Sequence, residues 1–360
     1  MKALRIFYAS DTTPNAWFKA VRSNIWRNNL LLPLRDLGHE VVEFEYDLTQ
    51  TFRYLNPAIS QHAEFIAKNR PVITAALLAQ LKAAHRERPV DVLFTYYTDA
   101  CIEPGAIDEI RGMGIKTVNW YCNGSYLLHL VKELSAKYDF VLVPEKFRMD
   151  DYRALGARPI YCQEAANPNV YGPRDVAQEF DVTFAGQAYG DRPALVKYLL
   201  DSGVDVHAFG MNWTPAAHRT EECAAVGFIP GGNRHGVLSD EELIALYSRS
   251  RINLGFSTCG ETHLDAAGKR IVQIRLRDFE VPMAGGFYMV EHQEELGEFF
   301  ELGREIVCYA SREEMVEKIR YYLGHAGERE KVRMAGMARA RRDHTWQKRF
   351  TEAFAEMGLS

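Results

Sequence analysis

The sequence predicts an α/β protein built on two doubly wound parallel sheets, and three observations carry that prediction. Apolar runs of strand length alternate with helix-length amphipathic segments from one end of the chain to the other. Most of the runs are apolar almost throughout, as strands buried on both faces must be. The alternation breaks once, at NPNVYGPRDVAQEF (167–180), and then restarts. At 360 residues the chain exceeds what one hydrophobic core usually serves, so two units joined near 173–179 are the simplest arrangement.

Taken in order, LRIFYAS (4–10) reads as a buried strand. A helical pattern follows through Trp26, Leu30, Leu34 and Leu37 and is closed by Gly38, and VVEFEY (41–46) is the next strand. A long helical region spans about 61–86, with a break predicted at Pro71. VDVLFTYY, IKTVNWYC and FVLVP are then short β-rich runs separated by helix-length segments. Past the break come FDVTFAGQ, a helix, VDVHAFG, a helix from Asp240, RINLGF, the stretch RLRDFEVPMAGGFYMVEHQEEL (275–296) and IVCYA. Pro282 limits the helix in that stretch, which suggests a start near Phe279.

Composition excludes several function classes. Apolar residues make up 47% and charged residues 25%, an ordinary globular profile. The formal net charge is −5 with scattered basic residues, which argues against general nucleic-acid binding. No stretch reaches the roughly 18 apolar residues of a membrane span, and the N-terminal apolar run is too short for a signal-peptide core. Cys101, Cys122, Cys162, Cys223, Cys259 and Cys308 form no CxxC pair, which fits a reduced, cytoplasmic protein whose cysteines are small core hydrophobes. The histidines show no HxxxH or HExxH spacing, so no metal is assigned.

In open α/β sheets ligands sit beyond the carboxyl ends of the strands. The first unit places Ser10, Asp11, Thr98, Asp99, Asn123 and Gly124 there, and the second places the segments 186–191, 210–213, 228–232 and 258–268. Two facing sets of loops predict a cleft. The dinucleotide fingerprint is absent, since ASDTTPNA follows the first strand and AGQAYG (185–190) lacks a third glycine and a Walker lysine.

The segment EVPMAGG (280–286) resembles the E-A-M-A-x-G-x-P-V segment of GT-B glycosyltransferases. The order RLRDFEVPMAGGF, ELGEFFELGREIVCY, EEMVEKIRYYL, HTWQKRF is similar to the spore-maturation-protein (CgeB-like) branch of those enzymes, over roughly residues 180–350. The resemblance implies two Rossmann-like domains facing a cleft. Residues 1–173 would bind the acceptor, 174–340 the nucleotide-sugar donor, and 341–360 would form a helix crossing back to the first domain, with His344 at the crossover. It implies transfer of a sugar from a nucleotide-diphosphate donor such as a UDP-sugar to a glycan, protein or small-molecule acceptor. No cofactor is expected beyond the donor itself. The rivals are a nucleotide-sugar epimerase of the same fold and a sugar-nucleotide-binding protein without turnover.

Physical needs then select residues. A departing nucleoside diphosphate gathers negative charge, and the chain has no D-x-D motif to hold a metal against it, so arginines must serve. Arg275 and Arg277 are the first candidates because a guanidinium fork matches phosphate oxygens, with Lys269 and Arg270 in reserve. The plain alternative for each is a solvated arginine with a packed stem. Glu280, set between Phe279 and Val281, needs a partner if buried, either the ribose hydroxyls that the resemblance implies or a structural salt bridge. Gly285 and Gly286 close that helix or admit a ligand. Gly186, with Gln187 and Arg192 beside it, corresponds to the family's glycine turn near the donor phosphates. Phe228 is a candidate for packing on the base, and WYCNGSY (120–126) for stacking on a sugar. Asp11 and Asp99 are candidate catalytic bases, or helix caps. The first glutamate of the E-x7-E pattern is missing, since Val272 stands in its place, which leaves the stereochemical outcome and the sugar open.

Overall fold

The computed structural model describes residues 2–11, 24–214, 229–258, 264–265 and 267–359. The chain divides into two compact units. The first holds the described residues up to Glu164 together with those from Trp346 onward, and the second is Ala165–Thr345.

Unit 1 contains β1 (Arg5–Ala9), β2 (Glu40–Glu43), β3 (Val92–Thr95), β4 (Lys116–Trp120), β5 (Phe140–Val143) and β6 (Pro159–Tyr161). They form one sheet in the order β2-β1-β3-β4-β5-β6. Every pairing is parallel, as in the register Ile6 to Val92 and Val118 to Phe140. The residues of β1, β3 and β5 are all buried, which is why their sequences carry no alternation. The helical stretch 27–36 ends where Gly38 turns the chain at φ 81°.

The helix Ser60–Glu87 continues through Pro71 with no break, contrary to the sequence expectation. Ile66, Ile73, Leu77 and Leu81 anchor its inner face, whereas Pro71 and Ala67 are exposed, so water can serve the carbonyl that proline leaves without a donor. The helix Trp346–Glu356 belongs to this unit. The Trp346 ring lies 5.1 Å from that of Trp120, its indole N–H donates to Asn29 Oδ1 at 3.1 Å, and Phe350 meets Phe94 edge-on.

Unit 2 contains β7 (Phe180–Ala185), β8 (Val206–Phe209), β9 (Arg234–His235), β10 (Ser250–Gly255), β11 (Tyr288–Glu291) and β12 (Val307–Tyr309). The order is β12-β11-β10-β7-β8-β9, again all parallel. Val182, Phe184, Val206, Ile252, Leu254 and Met289 form the core across its centre. The helix Asp240–Arg249 starts at a capping box in which Ser239 and Glu242 each satisfy the other's backbone N–H. The helix carrying Glu280 spans Leu276–Met283 and so begins three residues before the expected start. Asp278 fixes that start by accepting the Arg275 backbone N–H at 2.9 Å. Pro282 lies in its last turn, and the helix ends one residue later at Met283.

Candidate functional site

In unit 2 the strand order reverses between β7 and β10, and at such a switch point the crevice beyond the carboxyl ends takes ligands. Gly186 leaves β7 there. Its N–H donates to the Phe209 carbonyl at 2.8 Å and its own carbonyl accepts the Trp213 indole N–H at 2.6 Å. A Cβ on Gly186 would stand 2.6 Å from the Phe184 ring, so packing alone demands glycine. Gln187 is exposed beside it, and its carbonyl accepts from the Arg192 guanidinium at 3.2 Å.

Arg192 opens the helix Arg192–Asp201 and is only 4% exposed. Its guanidinium lies over the Tyr189 ring at 4.0 Å and near that of Phe184 at 5.4 Å, and its buried Nε has no hydrogen-bond partner. Burial pulls its pKa down to about 10, and repulsion from Arg275 and Arg277 adds to the fall. Arg275 reaches across the exit of β10, where Nε donates to the Phe256 carbonyl at 3.2 Å and the guanidinium to that of Thr258 at 2.8 Å. Arg277 sits in the first turn of the Leu276–Met283 helix, and its Nε is buried without a partner.

Glu280 is 3% exposed on the same helix. The buried Tyr247 phenol feels both Glu280 and Arg277, so the three share one neighbourhood. Asp278 accepts the Tyr288 hydroxyl at 2.6 Å, and burial pushes its carboxyl up to about 6. Gly285, at φ 74°, and Gly286 end the helix against protein. A Cβ would stand 3.1 Å from Arg333 and Pro173 at the first, and 2.8 Å from Asn253 and Val281 at the second.

At the rim, Arg270 pairs with Asp191 and stands 3.8 Å from Glu291. Glu291 accepts the backbone N–H groups of Ser257 and Thr258 at 3.1 and 3.3 Å, which fixes the loop leaving β10. Burial raises its pKa.

Unit 1 has its own switch point, between β1 and β3. Asp11 is partly buried just beyond β1. Asp99 follows β3, and its two carboxylate oxygens accept the N–H groups of Leu134 (2.9 Å) and Glu133 (3.1 Å) at the start of the helix Lys132–Ser135. Burial pushes Asp99 up to about 6 against those bonds. Asp11 and Asp99 both bear on the Cys101 thiol, which burial raises to about 12. Around Tyr96 gather the rings of Trp26 (4.2 Å), Tyr121 (5.8 Å) and Phe52 (5.8 Å, near-parallel).

Residues 192–355 match the sequence profile of the family described as glycosyl transferase-like. The structure is similar to sucrose-phosphate synthase from Thermosynechococcus elongatus, with a TM-score of 0.64 at 12% identity over 99% of each chain. It is similar to Anabaena HepE in complex with UDP-glucose, with a TM-score of 0.61 at 12% identity over 99% of this chain and 100% of that one. AviGT4, a glycosyltransferase involved in avilamycin A biosynthesis, gives 0.59 at 13% identity over 98% of each. The chain has the GT-B glycosyltransferase fold. No curated protein sequence matches it.

In this GT-B chain, Gly186, Gln187, Arg192, Arg275, Arg277 and Glu280 all lie in unit 2, and the structure brings the three arginines within electrostatic reach of one another. Gly285 and Gly286 lie at the far end of the Glu280 helix, and Phe228 falls outside the described residues. His344 is buried in unit 2, where its Nε2 is 2.7 Å from the Phe299 carbonyl and its ring meets Phe279 and Phe300. Sequence reasoning missed Tyr247 and Glu291, and named Asp191 only as part of the loop 186–191. Glu291 could have been read as a charge ending the strand YMVE at the ligand end of the sheet, whereas Tyr247 looks in sequence like any core residue of an amphipathic helix. Among the described residues no group of three or more His, Cys, Asp or Glu is arranged to hold a metal.

Proposed function

We propose that this chain transfers a sugar from a nucleoside-diphosphate sugar bound on unit 2 to an acceptor bound on unit 1, with arginines in the place of a metal. One observation carries the reading: Arg192, Arg275 and Arg277 repel one another at the switch point, and buried Nε groups of Arg192 and Arg277 have no partner. A buried guanidinium with two half-buried arginines beside it is costly unless an anion completes the group, and a diphosphate offers both the charge and the acceptor oxygens.

As the glycosidic bond breaks, charge collects on the β-phosphate, and fixed guanidiniums stabilise it without reorganising. In this reading Arg192, Arg275 and Arg277 hold the diphosphate, with the Gly186–Gln187 turn beneath it, and Glu280 takes the ribose hydroxyls. Asp11 and Asp99 are the candidate bases if the reaction inverts. Asp99 gives both oxygens to backbone N–H groups, which counts against it as a base. HepE is described in complex with UDP and with UDP-glucose, which makes UDP the first nucleotide to try. The acceptor would be a glycan, protein or small molecule.

The test is a thermal-shift panel of UDP, GDP, dTDP, CDP and ADP, with and without EDTA, on wild type and Arg192→Met. One diphosphate at about a hundred times its dissociation constant should add about 2.7 kcal/mol, be indifferent to EDTA, and lose its effect in the variant. No stabilisation by any of them, or equal stabilisation of Arg192→Met, overturns the donor site. Acceptor-dependent release of the free diphosphate then separates a transferase from an epimerase or a binding protein.

A further inference from the structure

In unit 1, beyond the carboxyl ends of β4 and β5, the peptide at Ser125 is held from both sides. Its N–H donates to Glu145 Oε1 at 3.2 Å, and its carbonyl accepts from Arg148 through Nε at 3.2 Å and a terminal nitrogen at 2.5 Å. Ser125 lies in the short helix Gly124–Leu127, which follows Tyr121 and includes Tyr126, whose hydroxyl donates to Asn123 Oδ1. Glu145 is 4% exposed, and its other oxygen has no hydrogen-bond partner. Beside it the fully buried Tyr152 hydroxyl is also without a partner. A Cβ on Gly124 would stand 2.8 Å from that hydroxyl and 3.2 Å from Glu145 Oε2, so the turn lies directly on both groups.

We propose that the Glu145–Arg148 clamp is a proton-controlled latch on the 123–126 turn. Ionised, Glu145 accepts the Ser125 N–H strongly and is steadied by Arg148. Protonated, the carboxyl is a weaker acceptor and gains a hydroxyl to donate, with the Tyr152 oxygen beside it, so its hold on the turn relaxes. The groups that face it are Arg148 and Tyr152 from the following segment and Tyr121 and Cys122 from the end of β4, with Glu164 acting on Cys122 and Asp99 on Tyr152 one step further out. Arg148 and the backbone N–H groups favour the carboxylate, but burial outweighs them and brings the Glu145 carboxyl up to about 7, where physiological pH can work the latch. Its bearing on the acceptor rests on the function proposed above, whereas the latch itself does not.

Hydrogen exchange at the Ser125 amide, corrected for intrinsic pH dependence, tests it on the intact chain. In wild type, protection should fall by about tenfold as pH drops through the carboxyl's titration, and Glu145→Gln should abolish the pH dependence. A protection factor that does not change with pH in wild type overturns the latch. Stability gives a second readout. The folded state holds this proton more tightly than the unfolded chain, whose carboxyl titrates near about 4.3, so wild type loses stability as pH rises from there through about 7. Glu145→Gln should therefore gain on wild type with rising pH, and a constant difference overturns the assignment to Glu145. If that variant does not fold, Arg148→Met should move the midpoint of the Ser125 transition upward, and an unmoved midpoint counts against the clamp. UDP should stabilise Glu145→Gln as it does wild type. Failure of UDP with wild type would sink the donor reading and leave the latch standing.

Discussion

Arg192 shows what one position can reveal. Its buried guanidinium has a ring beneath it, two more arginines nearby and an Nε with nothing to donate to. Charge and fork geometry are separable there. Arg192→Lys keeps the charge and loses the fork, so diphosphate affinity should fall about tenfold, while Arg192→Met should cost about a hundredfold, corresponding to about 1.4 and 2.7 kcal/mol. Calorimetric titration with UDP measures both. Equal affinities for wild type and Arg192→Lys would make the site a simple electrostatic one. Glu280→Gln should weaken UDP while leaving inorganic pyrophosphate unaffected, because only the nucleotide carries a ribose, and a parallel loss of both would return Glu280 to a structural role.

Among the elements, the helix Ser60–Glu87 offers the plainest test of local preference against tertiary anchoring. Pro71 gives up an N–H on the exposed face while buried Ile73, Leu77 and Leu81 hold the other side. Pro71→Ala restores the donor and should raise stability by about 1–3 kcal/mol, read by urea unfolding. A lower stability would mean that the helix is bent to need proline. The same contest explains what was legible beforehand. Runs such as FVLV and VLFT announce themselves because every residue is buried, whereas β9 is only Arg234–His235 and β6 only Pro159–Tyr161, too short to show a period. The start of the Glu280 helix was misplaced because Asp278 caps it through a side-chain bond that no apolar pattern displays. Arg275 and Arg277 could be picked out as charges in an apolar stretch. Tyr247 could not, since only its neighbours in space distinguish it from core.

For the whole molecule, the decisive feature is that unit 1 is made of two stretches of chain with unit 2 between them. Trp346 is fully buried in unit 1, at the head of the returning helix. Trp346→Ala should remove about 3–5 kcal/mol from unit 1 while UDP still protects unit 2. Two separated unfolding transitions, only the later one sensitive to UDP, would show this. A loss of UDP protection along with the tryptophan would contradict it.

That interruption also orders events during synthesis. Domains usually fold as they emerge, with the N-terminal one first. Here the first unit to begin is the last that can close, because its covering helix is translated only after all of Ala165–Thr345. The sheet of unit 1 must wait, with the Trp120 and Phe94 surfaces uncovered, while unit 2 is completed. For a nascent chain this is a window of exposure to chaperones and to aggregation whose length is set by the speed of translation through the middle of the message.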